Sequence, residues 1–214
     1  MDMNVAQTET FEQMVKRLFK PMPTFAGGVM HAAIGISGEV AELIMADYNN
    51  DEKNYREEMG DARFYMEALF QAYGWTYAEL LAEDGRPEFT MTALSHALIA
   101  AGDILDLAKK SWVYGKEMDV VKLRSHCVAL VASYHLMLDT WSLIDNDITS
   151  GNMYKLTLAP NARYKLGYSD QAAIARADKV GEETEKPNND GVTRAPGAFD
   201  NLFDAANTAL AKAG

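Results

Sequence analysis

Residues 24–74 read TFAGGVMHAAIGISGEVAELIMADYNNDEKNYREEMGDARFYMEALFQAYG, and this stretch decides the fold. Up to Ala46, the apolar residues Val29, Ala32, Ala33, Ile36, Val40, Leu43 and Ile44 recur at the steps of one helical arc. The turn-forming Asn49-Asn50-Asp51 follows. Beyond it Tyr55, Met59, Ala62, Met66, Leu69, Phe70 and Tyr73 fall in phase, and Gly74 is placed to stop the second helix.

Outward from this pair the pattern continues. A short helix is expected over Tyr77–Ala82, before the break at Gly85-Arg86-Pro87. Thr90–Tyr114 and Asp119–Leu143 pass the same helical test, with Gly115-Lys116 between them. No segment alternates with period two, so no sheet is expected. Long helices with short connections predict an all-α chain, an antiparallel four-helix bundle with additional short helices. Gly38-Glu39-Val40-Ala41-Glu42-Leu43 is echoed by Gly102-Asp103-Ile104-Leu105-Asp106-Leu107. The echo is short, and chance and an internally duplicated helix pair stay equally open.

Past Ile144 the composition shifts: Asn146–Ser169 holds Gly151, Pro160 and Gly167 with the basic residues Lys155, Arg163 and Lys165. Asp170–Lys179 is helical by pattern. The expected organisation is one domain over 1–180, a flexible linker over 181–197 and a C-terminal tail helix over 198–214.

The chain has 214 residues, close to one domain on a prior of roughly 150 per domain, and long enough to bury a core. Its 20 basic and 31 acidic side chains leave a net charge of −11, which argues against nucleic acid as partner because phosphate-backbone contacts need a basic face. The single cysteine, Cys127, excludes an internal disulfide and a cysteine-based zinc cluster. No apolar run reaches the roughly 18 residues of a membrane span. The N-terminal MDMNVAQTETFEQ lacks a basic-then-apolar leader pattern. The expectation is a soluble, reduced, cytoplasmic protein with no membrane partner.

Chemistry concentrates in two acidic doublets. Glu39 and Glu42 are three apart on the first helix, and Glu58 and Asp61 are three apart on the second, so each pair shares a face one turn apart. If the helices pair antiparallel through their apolar arcs, four carboxylates converge and repel one another unless a cation intervenes. For an all-oxygen cluster that must also hold phosphates, that cation is Mg²⁺, with Mn²⁺ as the substitute. Against this stands the plainer reading, a solvated acidic helix edge in an acidic protein. A second feature is the gathering of basic and amide groups in Asn152-Met153-Tyr154-Lys155-Leu156, Asn161-Ala162-Arg163-Tyr164 and Gly167-Tyr168-Ser169. Lys and Arg are the side chains that neutralise phosphate oxygens.

Taken in order, Glu39-x-x-Glu42, Glu58-x-x-Asp61, Asn152-x-x-Lys155-Leu156 and Arg163, with Ala172, Ala173 and Arg176 at the end, resemble the MazG-type all-α nucleoside triphosphate pyrophosphohydrolases, a family related to the dimeric dUTPases. The resemblance covers roughly residues 25–75 and 150–178. It departs from the compact members in placing two further long helices between Asp61 and Asn152.

The resemblance implies Mg²⁺-dependent hydrolysis of a (deoxy)nucleoside triphosphate to the monophosphate and pyrophosphate, which controls or sanitises a nucleotide pool. It implies Glu39, Glu42, Glu58 and Asp61 as metal ligands, Glu39 or Glu42 doubling as the base, and Asn152, Lys155 and Arg163 as substrate-binding groups. It also implies a homo-oligomer, dimer or tetramer. The rival is a non-enzymatic helical interaction or nucleotide-binding protein. One metal site per chain is expected, because the fourth helix around Arg124–Val128 has no acidic pair to set against Asp103 and Asp106. His31, His96, His126 and His135 show no metal spacing and read as packing or surface residues, as does Cys127.

Overall fold

The computed structural model describes residues 9–83, 85, 91–165 and 167–176, and among them there is helix and no strand. The all-α class expected from the periodicity is therefore what the chain adopts. The expected linker over 181–197 and tail helix over 198–214 lie outside the described residues. In chain order the elements are α1 (Phe11–Leu18), α2 (Phe25–Asn49), α3 (Glu52–Tyr73), α4 (Tyr77–Ala82), α5 (Ala93–Tyr114), α6 (Val120–Thr140) and α7 (Asp145–Met153). A π-helical turn, Tyr154–Leu158, continues α7, and α8 spans Asp170–Ala175.

The helix ends follow local side-chain chemistry. The Thr24 hydroxyl accepts from the Gly27 amide at 3.0 Å to open α2, and Asp51 accepts from the Asn54 amide at 3.0 Å to open α3. Asn50 closes α2 with φ 53°, and Gly74 closes α3 with φ 68°, a left-handed conformation that glycine adopts without cost. Thr92 and Asp119 cap α5 and α6 in the same way as Thr24.

Contacts step down one helix as they step up the next, so neighbouring long helices run antiparallel. Across α2 and α3, Phe25 meets Tyr73, Gly35 meets Tyr65, and Glu39 meets Glu58 and Asp61. Across α2 and α5, Gly27 lies beside the Trp112 indole and Ser37 beside the Ala101 carbonyl. Across α5 and α6, His96 bonds Ser133 at 2.7 Å and Asp103 faces His126 at 3.4 Å. Of the arc residues of α2, all but Ile44 are buried, and those of α3 are buried up to Tyr73, which is partly covered. Each large apolar side chain so buried stabilises the fold by about 1.5–3 kcal/mol.

Besides α7, which the sequence does not mark, and α8, which ends at Ala175 rather than Lys179, three features differ from the expectation. α6 ends at Thr140 rather than Leu143, in a turn where Ser142 takes φ 53°. α1 is an addition, closed by a Thr10–Gln13 capping box, and it puts Phe11, Met14, Val15 and Leu18 against Ala68, Leu156 and Tyr164. The third concerns length and apolarity. α2 has 25 residues and holds an 18-residue window of mean hydropathy 1.4, so by length and composition it is long and apolar enough to cross a membrane, contrary to the expectation that no segment would be. Its own sequence explains this: Ala, Ile and Gly dilute Glu39 and Glu42, and its apolar arc is spent against α3 and α5.

α3 also buries charge. Arg63 and Glu67, 3% and 4% exposed, pair at 2.9 Å one turn apart, with Asp145 of α7 at 3.7 Å from Arg63. The guanidinium lies over Tyr77 at 4.2 Å and near Phe11 at 5.3 Å, so one side chain joins α1, α3, α4 and α7. Removing one member of a buried pair leaves the other uncompensated, which costs about 3–5 kcal/mol. Arg63→Ala is therefore expected to lose that much stability in urea denaturation. A loss below about 1 kcal/mol, the size of a surface pair, would contradict it.

Candidate functional site

α2 and α3 present their acidic doublets to each other because the antiparallel pairing sets Glu39 opposite the Glu58–Asp61 turn. One oxygen from each of Glu39, Glu58 and Asp61 lies within 4.8 Å of the others. Glu58 is buried at 4% exposure, Glu39 and Asp61 are partly covered, and Glu42 is exposed. Glu42 thus stands outside the tight trio but lines the same cavity. Among the described residues this is the one group of three or more acidic, His or Cys donors so close together.

The electrostatics follow from that crowding. Burial pushes the Glu39 carboxyl up to about 9, with the Asp61 charge and a hydrogen bond to Glu58 adding to it. Burial likewise raises Glu58 to about 7, with Asp61 and Glu42 adding repulsion. The two carboxyls titrate as a pair that holds a proton at neutral pH. An oxygen-only cluster short of positive charge can bind a hard metal ion, which would replace that proton.

Asp61 is held from the other side. Its Oδ1 accepts from Asn152 Nδ2 at 2.6 Å, and Lys155 Nζ lies 2.6 Å from each of its oxygens. Lys155 also reaches Glu57 at 3.2 Å. α7 brings Asn152 over Gly60, where a Cβ would stand 3.0 Å from the Asn152 side chain, so the missing side chain lets α7 approach α3. The π-helical turn then carries Lys155, an arrangement often found at functional sites. Asn152 is 4% exposed, and its buried Oδ1 has no hydrogen-bond partner. Asn152 and Lys155 thus face the carboxylates, while the cavity wall takes in Leu156 and Arg163.

The cavity holds about 340 Å³. Besides the four acidic residues it is lined by three cations, Lys20, Arg163 and Arg176, and by the rings of Phe19, His31, Phe64, Tyr65, Tyr164 and Tyr168. Phe19 and His31 stack with centroids 4.5 Å apart. Burial, and then the Lys20 charge, lowers the His31 pKa below its ordinary 6.5, which keeps the ring neutral at pH 7. Tyr65 lies so close on α2 that a Cβ at Gly35 would meet its ring at 2.2 Å.

Tyr164 and Tyr168 fall in the segments the sequence marks for phosphate binding, whereas Phe19, His31, Phe64 and Tyr65 read as packing and Lys20 and Glu57 belong to no motif. A signal existed on α2, where His31, Gly35, Glu39 and Glu42 follow one another at helical steps of four, four and three.

Among the described residues the second helix pair carries no such cluster. Asp103 faces His126, and Asp106 pairs with Lys109 and Lys110 of its own helix. Cys127 is buried, and burial pushes its thiol up to about 12, which leaves it unreactive packing. Compared with protein-family models, curated proteins and solved structures, the chain has no significant match.

Proposed function

We propose that the chain hydrolyses a (deoxy)nucleoside triphosphate to the monophosphate and pyrophosphate, with Mg²⁺ held by Glu39, Glu58 and Asp61. The observation that carries this is the trio of convergent carboxylates in one cavity with three cations and a set of aromatic rings. The donor set fits the ion. It is all oxygen and crowded with negative charge, and it stands beside the buried Asn152, whose amide nitrogen donates to Asp61 while its amide oxygen has no partner. Bound there, Mg²⁺ would supply charge neutralisation for the triphosphate and lower the proton affinity of a water.

The chain's own groups do the rest. Glu39 and Glu58 give up their shared proton on loading, and Asp61 keeps its orientation through Asn152. Glu42, exposed at the cavity, is placed to accept a proton from the attacking water. That water's oxygen forms the new bond to phosphorus, and the bond to the pyrophosphate oxygen breaks. Arg163, with Lys20 and Arg176, offsets the charge that builds on the departing group. The rings give the cavity flat apolar faces of the kind on which a base stacks.

Release of pyrophosphate across a panel of dNTPs and NTPs, with Mg²⁺ present, tests the reading. Two variants test the phosphate roles. A charge-assisted hydrogen bond contributes about 1.5–3 kcal/mol, so Lys155→Ala and Arg163→Ala are each expected to cost about ten- to a hundred-fold in kcat/KM. Lys109→Ala, a change to a surface pair with Asp106, serves as the control. Site variants that match the control would refute the phosphate roles.

A further inference from the structure

Asp61 belongs to two sets at once. It is one of the three carboxylates that converge within 4.8 Å, and it is the main partner of Lys155, whose Nζ lies 2.6 Å from both of its oxygens. Lys155 is largely shut away from water, with its side chain 17% exposed, and Glu57 at 3.2 Å is its second anion. Its ammonium therefore already supplies one positive charge to a cluster that lacks them. A divalent cation drawing on Asp61 meets that charge as a rival for the same oxygens, in a site too covered for water to screen the repulsion.

Lys155 also has somewhere else to go. Its stem is long and flexible, with three donors at its tip. It stands beside a cavity that it does not itself line, though its sequence neighbour Leu156 does. A triphosphate in that cavity offers the ammonium new oxygens in place of Asp61 and Glu57.

We infer that Lys155 is the resident counter-ion of the carboxylate cluster, competing with the divalent cation for Asp61 until a triphosphate draws it away. The inference rests on the metal and phosphate roles proposed above. In the nucleotide-free protein the cation is held weakly. A triphosphate that takes Lys155 onto its own oxygens releases Asp61, and cation and nucleotide then strengthen each other's binding by the same factor. Lys155 so acts as a positioning residue for the cation as well as a phosphate donor.

Calorimetric titration of the full chain with Mn²⁺ reads this without turnover. Without nucleotide, Lys155→Met is expected to bind Mn²⁺ about ten-fold or more tightly than the unmodified chain, the factor that loss of one charge-assisted contact to Asp61 implies. Lys155→Gln keeps an amide donor beside Asp61 but no charge, and should tighten binding in the same direction; it stands in if the methionine variant misfolds. A non-hydrolysable α,β-methylene triphosphate should tighten Mn²⁺ binding to the unmodified chain more than to either variant. Lys109→Met should change nothing.

Equal or weaker Mn²⁺ binding in both folded Lys155 variants overturns the inference alone. Absence of Mn²⁺ binding from every form overturns it together with the metal assignment. Lack of pyrophosphate release by the unmodified chain, read in a separate assay, strikes the proposed reaction instead.

Discussion

Glu39→Gln is expected to lose at least about a hundred-fold in kcat/KM while its metal-free form gains stability. The first effect follows from the cation. An interaction supplying several kcal/mol of charge stabilisation is weakened when a neutral amide replaces a carboxylate ligand, and each 1.36 kcal/mol is about ten-fold in rate. The second follows from proton linkage. Glu39 has a folded-state pKa of about 9 against an ordinary 4.5, so the folded chain binds more protons than the unfolded one between those values. Stability is then greatest below the ordinary value and falls as pH rises toward the folded one. A glutamine has no such proton to lose. Thermal melts in EDTA at pH 6 and about pH 8.5 should show a smaller drop for the variant than for the unmodified chain. An equal drop would show that Glu39 is not the residue bearing the strain.

The second large effect concerns the cation itself. Excess EDTA should abolish pyrophosphate release and Mg²⁺ should restore it, because the proton that burial and crowding hold on Glu39 and Glu58 occupies the place a divalent cation would take. A cation that binds the folded chain alone stabilises it by about 2.7 kcal/mol at a hundred times its dissociation constant. Because binding displaces the proton shared by Glu39 and Glu58, this stabilisation should grow with pH. A melting temperature that Mg²⁺ leaves unmoved at pH 8 would contradict the assignment of the trio.

How much of this could be read in the chain depends on how far each feature reaches along it. α2 and α3 were legible because their apolar residues keep a helical period between strong stop signals, Asn50 and Gly74. α1 is hard to read although Thr10-x-x-Gln13 ahead of Met14, Val15 and Leu18 is a capping signature, because at 8 residues its period is brief. α7 carries Gly151 and no side-chain N-cap, so only packing on α3 reveals it. The meeting of Glu39, Glu58 and Asp61 was implied by spacing plus antiparallel pairing, and Glu42's outer place was not.

Spacing alone cannot give contacts between distant segments. Lys155 and Asp61 are 94 residues apart, and only the fold brings the ammonium to the carboxylate. In the sequence Lys155 therefore reads as a phosphate-binding residue and not also as the ion-pair partner of Asp61. Arg63 and Glu67 show the converse. Four residues apart on a helix, they resemble an ordinary exposed pair, yet α1, α4 and α7 close over them.

The most direct measurement is pyrophosphate release from each dNTP and NTP by the unmodified chain, run with Mg²⁺ and again with excess EDTA. The account predicts monophosphate and pyrophosphate in equal amounts from at least one nucleotide, with turnover lost in EDTA and in Glu39→Gln. No pyrophosphate from any nucleotide with Mg²⁺ present, or full turnover in EDTA, would contradict it.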